Sequence, residues 1–408
     1  MTTTASTSPR TGGVLAVHAH PDDETLTSGA LLATWAAAGL PVTVVTCTRG
    51  ERGEVIGAAL AHLEGDAAAL AAHRETELVA ATRALGARQV FLDTLPTPDR
   101  AARAADAGSE SRAIAPAARS TDAGARYEDS GMAWVGTGQA GAAGDPPPAA
   151  FVAAGLDEAA GRLAVLVRER QPDLLVTYEP GGGYGHPDHV RAHAVAMRAV
   201  ELAADRGWAG AAVEPVEPGG AAGTAGEDDA TGAGGPGRTP GPDRSVDPAS
   251  AARRGRPWRV PGVLWAVTDP AVLRAGYAAL AADPTVRALV DASAAHAARA
   301  GRTGSRAVAA RQAPLTLPDP AGPLPSVADG RPVDVAVPVA PVLAPVLAAL
   351  RAHATQVQAV TPLDAEGVVA CLALSHRVLA PVLAEETYAW APGRRAADPV
   401  WPVGVRAT

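Results

Sequence analysis

The chain has 408 residues, a hydrophobic fraction of 47% and a formal net charge of −8. This length suits one large or two ordinary domains, and the negative charge provides no overall basic field for a nucleic acid. The sequence contains no lysine, which excludes a Walker-type phosphate loop and a lysine Schiff base. With no leader-like segment and no run of about 18 apolar residues, we expect a cytoplasmic protein with no membrane partner.

Strand-like and helix-like segments alternate along the first half of the chain. The strand-like segments are short apolar runs, and the helix-like segments are longer and rich in alanine. Such alternation is typical of βαβ units, so we predict an α/β fold of the Rossmann-like type, with a mostly parallel sheet flanked by helices. The predicted strands are 14–18, 42–46, 90–92 and 174–178, and the predicted helices are 25–38, 66–85, 151–170 and 187–204.

The last third of the chain returns to apolar segments. We predict further strands near 263–267 and 333–337, and apolar helices near 342–352 and 368–383. These elements are expected to complete the same domain, which would then run from residue 13 to residue 408.

Segments of low complexity interrupt this pattern. Residues 1–12 are rich in Thr and Ser and are predicted to be a flexible N-terminus. Three further segments, near 99–125, 214–256 and 301–330, are dominated by small and polar residues and are predicted to be surface loop insertions.

Two tetrads share the sequence His-Pro-Asp. The first tetrad is residues 20–23 (His-Pro-Asp-Asp), and the second tetrad is residues 186–189 (His-Pro-Asp-His). Each follows a predicted strand and precedes a predicted helix, which is where ligands bind in open parallel sheets. The alternatives are helix-capping aspartates in the first tetrad and a glycine-rich hairpin with surface histidines in the second. The repetition favours one shared metal site.

We predict that His20, Asp23 and His189 bind the metal ion. Imidazole and carboxylate ligands suit Zn²⁺, and they also suit Fe²⁺, so one Zn²⁺ is expected and Fe²⁺ stays open. His193, one helical turn after His189, lacks the intervening glutamate of a His-Glu-x-x-His site and is more typical of an ordinary helix residue. His18 is equally compatible with the core and with a supporting contact to the site.

Other residues of the tetrads are predicted to carry the chemistry. Asp22 lies beside the ligands without binding the metal, so its carboxylate can accept a proton from an activated water. His186 is expected to face the substrate carbonyl as a histidinium oriented by Asp188, where it would stabilise an oxyanion and protonate the leaving amine. Tyr184 can provide a second donor.

Residues 19–24 together with 184–189 resemble the signature of the zinc-dependent N-acetylglucosaminyl deacetylases of the PIG-L or LmbE-like superfamily. Residues 50–57, 74–78 and 127–132, and also 352–357, are similar to the actinobacterial branch that makes mycothiol.

The resemblance implies a single LmbE-like deacetylase domain, a hydrolytic zinc ion and the same roles for the tetrad residues. It also implies that Arg74 and Asp129 form hydrogen bonds with hydroxyl groups of the substrate, a small pseudodisaccharide.

Within that branch the resemblance implies one of two amide hydrolases. One removes acetyl from an N-acetylglucosaminyl-inositol, and the other cleaves mycothiol S-conjugates. The lysine-free segment after Asp23 and the glycine at position 185 favour the deacetylase. A third possibility is a sugar-binding or regulatory protein without catalysis, and the retained Asp22 disfavours it.

Overall fold

The computed structural model describes residues 12–97, 127–136, 139–208, 256–300, 313–397, 399 and 401–408. The predicted insertion near 99–125, residues 214–255 of the second predicted insertion, and residues 1–11 of the predicted flexible N-terminus lie outside these residues. Of the predicted 301–330 loop, residues 313–330 are described and contain a short 3-10 turn, Ser326–Ala328. Within the described segments, no helix combines the length and the apolar character needed to cross a bilayer.

The strands that the described residues form are β1 (Val14–His18), β2 (Val42–Thr46), β3 (Arg88–Phe91), β4 (Met132–Gly136), β5 (Gln139–Ala142), β6 (Leu174–Tyr178), β7 (Gly262–Ala266), β8 (Val335–Pro338), β9 (Gln358–Ala365), β10 (Val368–Ala373), β11 (Leu379–Leu383), β12 (Glu385–Trp390) and β13 (Arg406–Ala407). The longer helices are α1 (Asp23–Ala37), α2 (Ala67–Leu85), α3 (Leu156–Arg170), α4 (Pro187–Ala204), α5 (Pro270–Ala282), α6 (Pro284–Ala300) and α7 (Leu343–Ala352).

An eight-stranded sheet forms the centre of the fold, in the order β13-β8-β12-β7-β6-β1-β2-β3. The five strands from β7 to β3 are parallel, and β12, β8 and β13 add an antiparallel edge. The predicted α/β class with a mostly parallel sheet is therefore confirmed. Because β1 lies between β2 and β6, the chain changes direction of winding at β1, and a crevice opens there at the carboxyl ends of the strands.

Helices cover both faces of the sheet and bury its apolar side chains. On one face, Leu31 and Trp35 of α1 pack with Leu350 of α7 against the strands. On the other face, Leu163 of α3 and Val195 of α4 pack against the opposite sides of the same strands. Because the central strands are buried on both faces, their sequences read as continuous apolar runs rather than alternating patterns.

The prediction of a helix over residues 368–383 is wrong. This segment forms the antiparallel strands β10 and β11, in a second sheet of three strands with β9. A turn separates them, in which the N–H of Arg377 donates to the carbonyl of Leu374 and Arg377 has a φ of 62°. Apolar residues on both sides of β10 removed the alternation that distinguishes a strand from a helix.

Candidate metal centre

The two tetrads meet at the carboxyl ends of neighbouring strands. The first tetrad follows β1 and leads into α1, and the second tetrad follows β6 and leads into α4. β1 and β6 pair in parallel, so both strands end at the same edge of the sheet. The crevice that the topology provides is therefore lined by both tetrads.

Three side-chain atoms from the two tetrads converge on one point. Nδ1 of His20 lies 3.3 Å from Oδ2 of Asp23, and Nε2 of His189 lies 3.3 Å from the same oxygen. The two histidine nitrogens are also 3.3 Å apart. Ligands at metal distances of about 2.0–2.1 Å in a tetrahedral site are separated by about 3.3–3.4 Å, so this spacing matches a tetrahedral ion.

The protonation pattern of these atoms also fits a cation. Nε2 of His20 lies 3.2 Å from Oδ2 of Asp188, and Nδ1 of His189 lies 3.0 Å from the carbonyl of Gly182. When these outer nitrogens carry the protons, the inner nitrogens present lone pairs beside the Asp23 carboxylate. The donor set can therefore hold a metal ion, with the outer contacts orienting both rings.

The local charges favour a positive charge at this point. Burial acts to lower the pKa of His20, but the carboxylates of Asp129, Asp188 and Asp23 outweigh burial and raise that pKa well above its usual value. Burial acts to raise the pKa of Asp23, and His189 with His20 outweighs it and holds that pKa well below its usual range. A buried cluster that is lined by carboxylates in this way is stabilised when it binds a cation.

Asp22 occupies a strained position beside the ligands. Its φ is 108°, in the region that favours glycine. The carbonyl before it, that of Pro21, accepts a hydrogen bond from Nη2 of Arg74, and the same Nη2 lies 3.5 Å from Oδ1 of Asp22. Burial raises the pKa of Asp22 to about 7, a rise that Arg74 opposes and Asp23 reinforces. The Asp22 carboxylate therefore lies beside the three converging atoms without being one of them.

Arg74 and Asp129 both face protein groups in this structure. Arg74 is 2% exposed, and its Nη1 donates to the carbonyl of Gly50 at 2.8 Å. Asp129 is 4% exposed, accepts a hydrogen bond from the N–H of Gly131, and places Oδ1 3.6 Å from Nε2 of His20. Gly50 is required here because its φ is +67° and a Cβ would lie 1.9 Å from Arg74 Nη1.

His186 caps a helix as well as lining the crevice. Its Nδ1 accepts a hydrogen bond from the N–H of Asp188 and so caps the start of α4. Burial, with His20 and His189 nearby, lowers the pKa of His186 to about 2. Because Nδ1 accepts the N–H of Asp188, the geometry favours a neutral imidazole with its proton on Nε2 over the predicted histidinium. The Tyr184 ring is 6.0 Å from the His186 ring, centre to centre.

Asp188 does not orient His186 through its carboxylate, as the sequence had suggested. Its Oδ2 contacts His20 and accepts the N–H of Ser130 at 2.9 Å, and its Oδ1 accepts the Ser130 hydroxyl at 2.5 Å. Asp188 is fully buried. It therefore supports a ligand from the first tetrad, across 168 residues of sequence.

Several supporting residues were not predicted from the sequence. The Tyr178 ring stacks on His189 with centroids 4.3 Å apart, and its hydroxyl accepts the N–H of Ala19 at 2.9 Å. Glu179 accepts hydrogen bonds from the N–H groups of Gly181 and Gly183, which holds the glycine-rich turn before the second tetrad. Both residues end or follow β6 directly, and that position was the only indication available.

The two weaker histidine candidates have ordinary contacts. His18 places Nε2 2.9 Å from the hydroxyl of Ser28. His193 places Nδ1 2.9 Å from the carbonyl of Tyr178 and packs edge-on against the Trp265 ring. These contacts agree with the expectation that His193 is an ordinary helix residue, and His18 is a buried histidine that contacts α1.

The chain is similar to several deacetylases. It is 36% identical to the 1D-myo-inositol 2-acetamido-2-deoxy-alpha-D-glucopyranoside deacetylase of Kineococcus radiotolerans, over 92% of this chain and 76% of the relative. It is 36% identical to the protein of the same name from Nocardia farcinica, over 97% and 95%, and 35% identical to that of Rhodococcus erythropolis, over 93% and 91%.

Solved structures are more distant. The N,N'-diacetylchitobiose deacetylase of Pyrococcus horikoshii aligns at 20% identity with a TM-score of 0.32, over 49% of this chain and 53% of that one, which is too slight to support an argument. Residues 15–200 match the family described as PIG-L: GlcNAc-PI de-N-acetylase, and this segment contains both tetrads. Together with the relatives that share the full length, this match shows that the chain belongs to the PIG-L family.

Proposed function

We propose that this protein is a metal-dependent amide hydrolase that removes acetyl from 1D-myo-inositol 2-acetamido-2-deoxy-α-D-glucopyranoside, a step of mycothiol biosynthesis. The observation that carries the proposal is the convergence of His20, Asp23 and His189 at mutual distances of 3.3 Å, beside the strained and half-buried Asp22. The names of the relatives supply the substrate.

We infer that the resident ion is Zn²⁺, held by His20, Asp23 and His189. Two imidazole nitrogens and one carboxylate oxygen in a tetrahedral arrangement are a common set for catalytic zinc, and Fe²⁺ accepts the same donors. When bound, such an ion polarises the amide carbonyl and lowers the pKa of water to about 7.

Asp22 moves the proton in this proposal. Its carboxylate accepts a proton from the attacking water as the new C–O bond forms. The same carboxyl then returns the proton to the amide nitrogen as the C–N bond breaks, which yields the free amine and acetic acid, and the acid loses its proton to solvent to give acetate. A side chain with a pKa near 7 can perform both transfers.

His186 and Tyr184 stabilise the oxyanion in this proposal. Because Nδ1 of His186 accepts a backbone N–H, Nε2 carries a proton that can be donated to the oxygen that develops negative charge. Tyr184 supplies a phenolic donor whose pKa burial raises well above 10, so its proton is present throughout the reaction. Asp188 acts indirectly, through His20. Contacts of Arg74 and Asp129 with substrate hydroxyls stay a prediction.

We further infer that residues 13–408 act as a single domain. The support is that the eight-stranded sheet combines strands from the first half of the chain with β8, β12 and β13 from the last quarter.

The proposed function is tested by acetate release from the purified, zinc-loaded protein. We expect amine and acetate to form in equal amounts, and we expect the chelator-stripped protein to be inactive until zinc is restored. A mycothiol-bimane conjugate serves as the competing substrate. A higher kcat/KM on the conjugate would identify the protein as a mycothiol S-conjugate amidase instead. No turnover of either substrate would favour a sugar-binding or regulatory protein.

A further inference from the structure

A turn in the last third of the chain reaches the first tetrad. Residues 353–356 (His-Ala-Thr-Gln), here called the 353–356 turn, directly follow α7 and lie outside the segment that matches the family. Nothing in the proposed reaction uses them. Nevertheless they contact Glu24 of α1 and Glu77 of α2, and both helices carry side chains that bind the Pro21–Asp22 peptide.

The strongest of these contacts joins His353 to Glu24. Nε2 of His353 lies 2.8 Å from Oε1 of Glu24, and both side chains are 0% exposed. Because neither buried side chain can exchange this contact for one with water, loss of either partner leaves the other unsatisfied, and the hydrogen bond holds both residues in place. The partners are 329 positions apart in the sequence.

The second carboxylate oxygen of Glu24 binds the backbone of Asp22. Oε2 accepts the N–H of Asp22 at 3.0 Å. Asp22 has a φ of 108°, and a non-glycine residue keeps such a conformation only where its surroundings hold it. One oxygen of Glu24 therefore faces His353 and the other holds the strained peptide of Asp22.

The same turn also contacts α2, the helix whose Arg74 binds the carbonyl end of the Pro21–Asp22 peptide. The N–H and the hydroxyl of Thr355 donate to the two carboxylate oxygens of Glu77 in α2, at 2.8 and 2.6 Å. Arg74 lies one helical turn before Glu77, and its guanidinium binds the carbonyl of Pro21. The Pro21–Asp22 peptide is thus bound at its N–H by Glu24, which His353 contacts, and at its carbonyl by Arg74 of the helix that Thr355 contacts through Glu77.

We propose that His353 is a positioning residue for the reaction, which acts through Glu24 to hold the Asp22 carboxylate in its productive orientation. This inference rests on the proposed role of Asp22 as general base. It assigns a function to a segment beyond the matched family region, and it makes the efficiency of the first tetrad depend on the last third of the chain.

Two substitutions of His353 that differ by one methylene group separate the hydrogen bond to Glu24 from the mere presence of a polar side chain. In His353→Gln the amide nitrogen lies the same number of bonds from Cα as Nε2 and can still donate to Glu24. In His353→Asn the amide nitrogen corresponds to Nδ1, which has no hydrogen-bond partner among the described residues, and it falls short of Glu24. His296→Ala, at an exposed position of α6, is the matched control.

Steady-state kinetics on the N-acetylated substrate, normalised to bound zinc, give the first readout. We expect His353→Asn to lower kcat by about 10–100-fold with KM nearly unchanged, since loss of a supporting contact typically has an effect of this size. His353→Gln should recover most of kcat, and His296→Ala should match the wild type. A merely structural role would lower the folded fraction but leave kcat per bound zinc unchanged. That result, or equal kcat values for the Gln and Asn variants, would overturn the proposal.

Hydrogen–deuterium exchange gives a readout that does not need activity. The peptide that contains Asp22 should exchange faster in His353→Asn than in the wild type, and His353→Gln should restore its protection. Unchanged exchange in His353→Asn would overturn the proposal. If the wild-type protein releases no acetate, the proposed function fails, and the exchange result still decides whether His353 holds the Asp22 backbone.

Discussion

The two tetrads begin with the same three residues, yet the structure uses those residues differently. α1 begins at Asp23, the fourth residue of the first tetrad, whereas α4 begins at Pro187, the second residue of the second tetrad. His20 therefore lies outside its helix and turns Nδ1 toward Asp23, whereas His186 caps its helix through the same nitrogen. The residue at which each helix begins, rather than the shared His-Pro-Asp sequence, determines the contacts that each histidine makes.

The third residues of the tetrads differ for the same reason. Asp22 precedes its helix and has a strained backbone, so its carboxylate lies beside the ligands and near Arg74. Asp188 lies within the first turn of α4 and points back to His20 and Ser130. One aspartate is thus placed to move protons, and the other is placed to orient a ligand. Four substitutions can break or sharpen this contrast.

The largest effect is expected for Asp22→Asn. Loss of a general base lowers rates by about 10²–10⁴-fold, so kcat should fall within that range while zinc binding stays near the wild-type level. Acetate release and metal content measured on the same sample check this. Asp364→Asn, at an exposed position of β9, is the control and should leave kcat unchanged. Near wild-type turnover of Asp22→Asn would remove Asp22 from the mechanism.

A smaller effect of a different kind is expected for Asp188→Asn. This change weakens the contact that orients His20, and such changes typically reduce metal affinity or activity by about 10–100-fold. Competition with a zinc-binding dye measures the affinity. If Asp188→Asn kept full zinc affinity but lost turnover as completely as Asp22→Asn, the two aspartates would share one role and the contrast would be wrong.

Gly185→Ala tests the backbone that places the second tetrad. Gly185 has a φ of +92°, and an added Cβ would lie 2.7 Å from the carbonyl oxygen of Ala140 in β5. We expect a loss of about 1–3 kcal/mol in the free energy of unfolding, from strain at this φ and the close contact. Urea unfolding measures the change. Gly393→Ala, where φ is also positive but no atom lies within 4 Å of the added Cβ, separates strain from the contact.

The smallest effect is expected for Ser130→Ala. Its hydroxyl donates to Asp188 and accepts the N–H of Val152, while the Ser130 N–H contact to Asp188 survives the substitution. The Asp188 carboxylate keeps its hydrogen bond from the Ser130 N–H. We therefore expect the free energy of zinc binding to weaken by about 1 kcal/mol, which is roughly five-fold in affinity. A dye-competition assay would show a larger loss than that of Asp188→Asn if Ser130 were the principal support.

Individual strands and helices were predictable because the pattern of apolar residues within each segment indicates its secondary structure. Strands β1, β2 and β6 and helix α4 have the predicted bounds, since each strand begins directly after a Gly, Pro or Asp residue and α4 begins at a proline. The proximity of the tetrads followed from the parallel sheet. The prediction of a helix over residues 368–383 was wrong because a strand buried on both faces lacks the alternation of apolar and polar residues.

Long-range supporting contacts were not predictable from one sequence. The contact between Glu24 and His353 spans 329 positions, and that between His20 and Asp188 spans 168. Neither partner carries a local pattern that indicates the other. The role of His186 Nδ1 as a hydrogen-bond acceptor was equally unpredictable, because it depends on the exact residue at which α4 begins.

The central claim is that one ion is shared by both tetrads through His20, Asp23 and His189. Anomalous diffraction at the zinc edge from crystals of the zinc-loaded protein tests it most directly. We predict one zinc peak per chain, about 2.0–2.2 Å from Nδ1 of His20, Oδ2 of Asp23 and Nε2 of His189. A peak bound by the residues of only one tetrad, or by Asp129 and Asp188 in place of Asp23 and His189, would contradict the account.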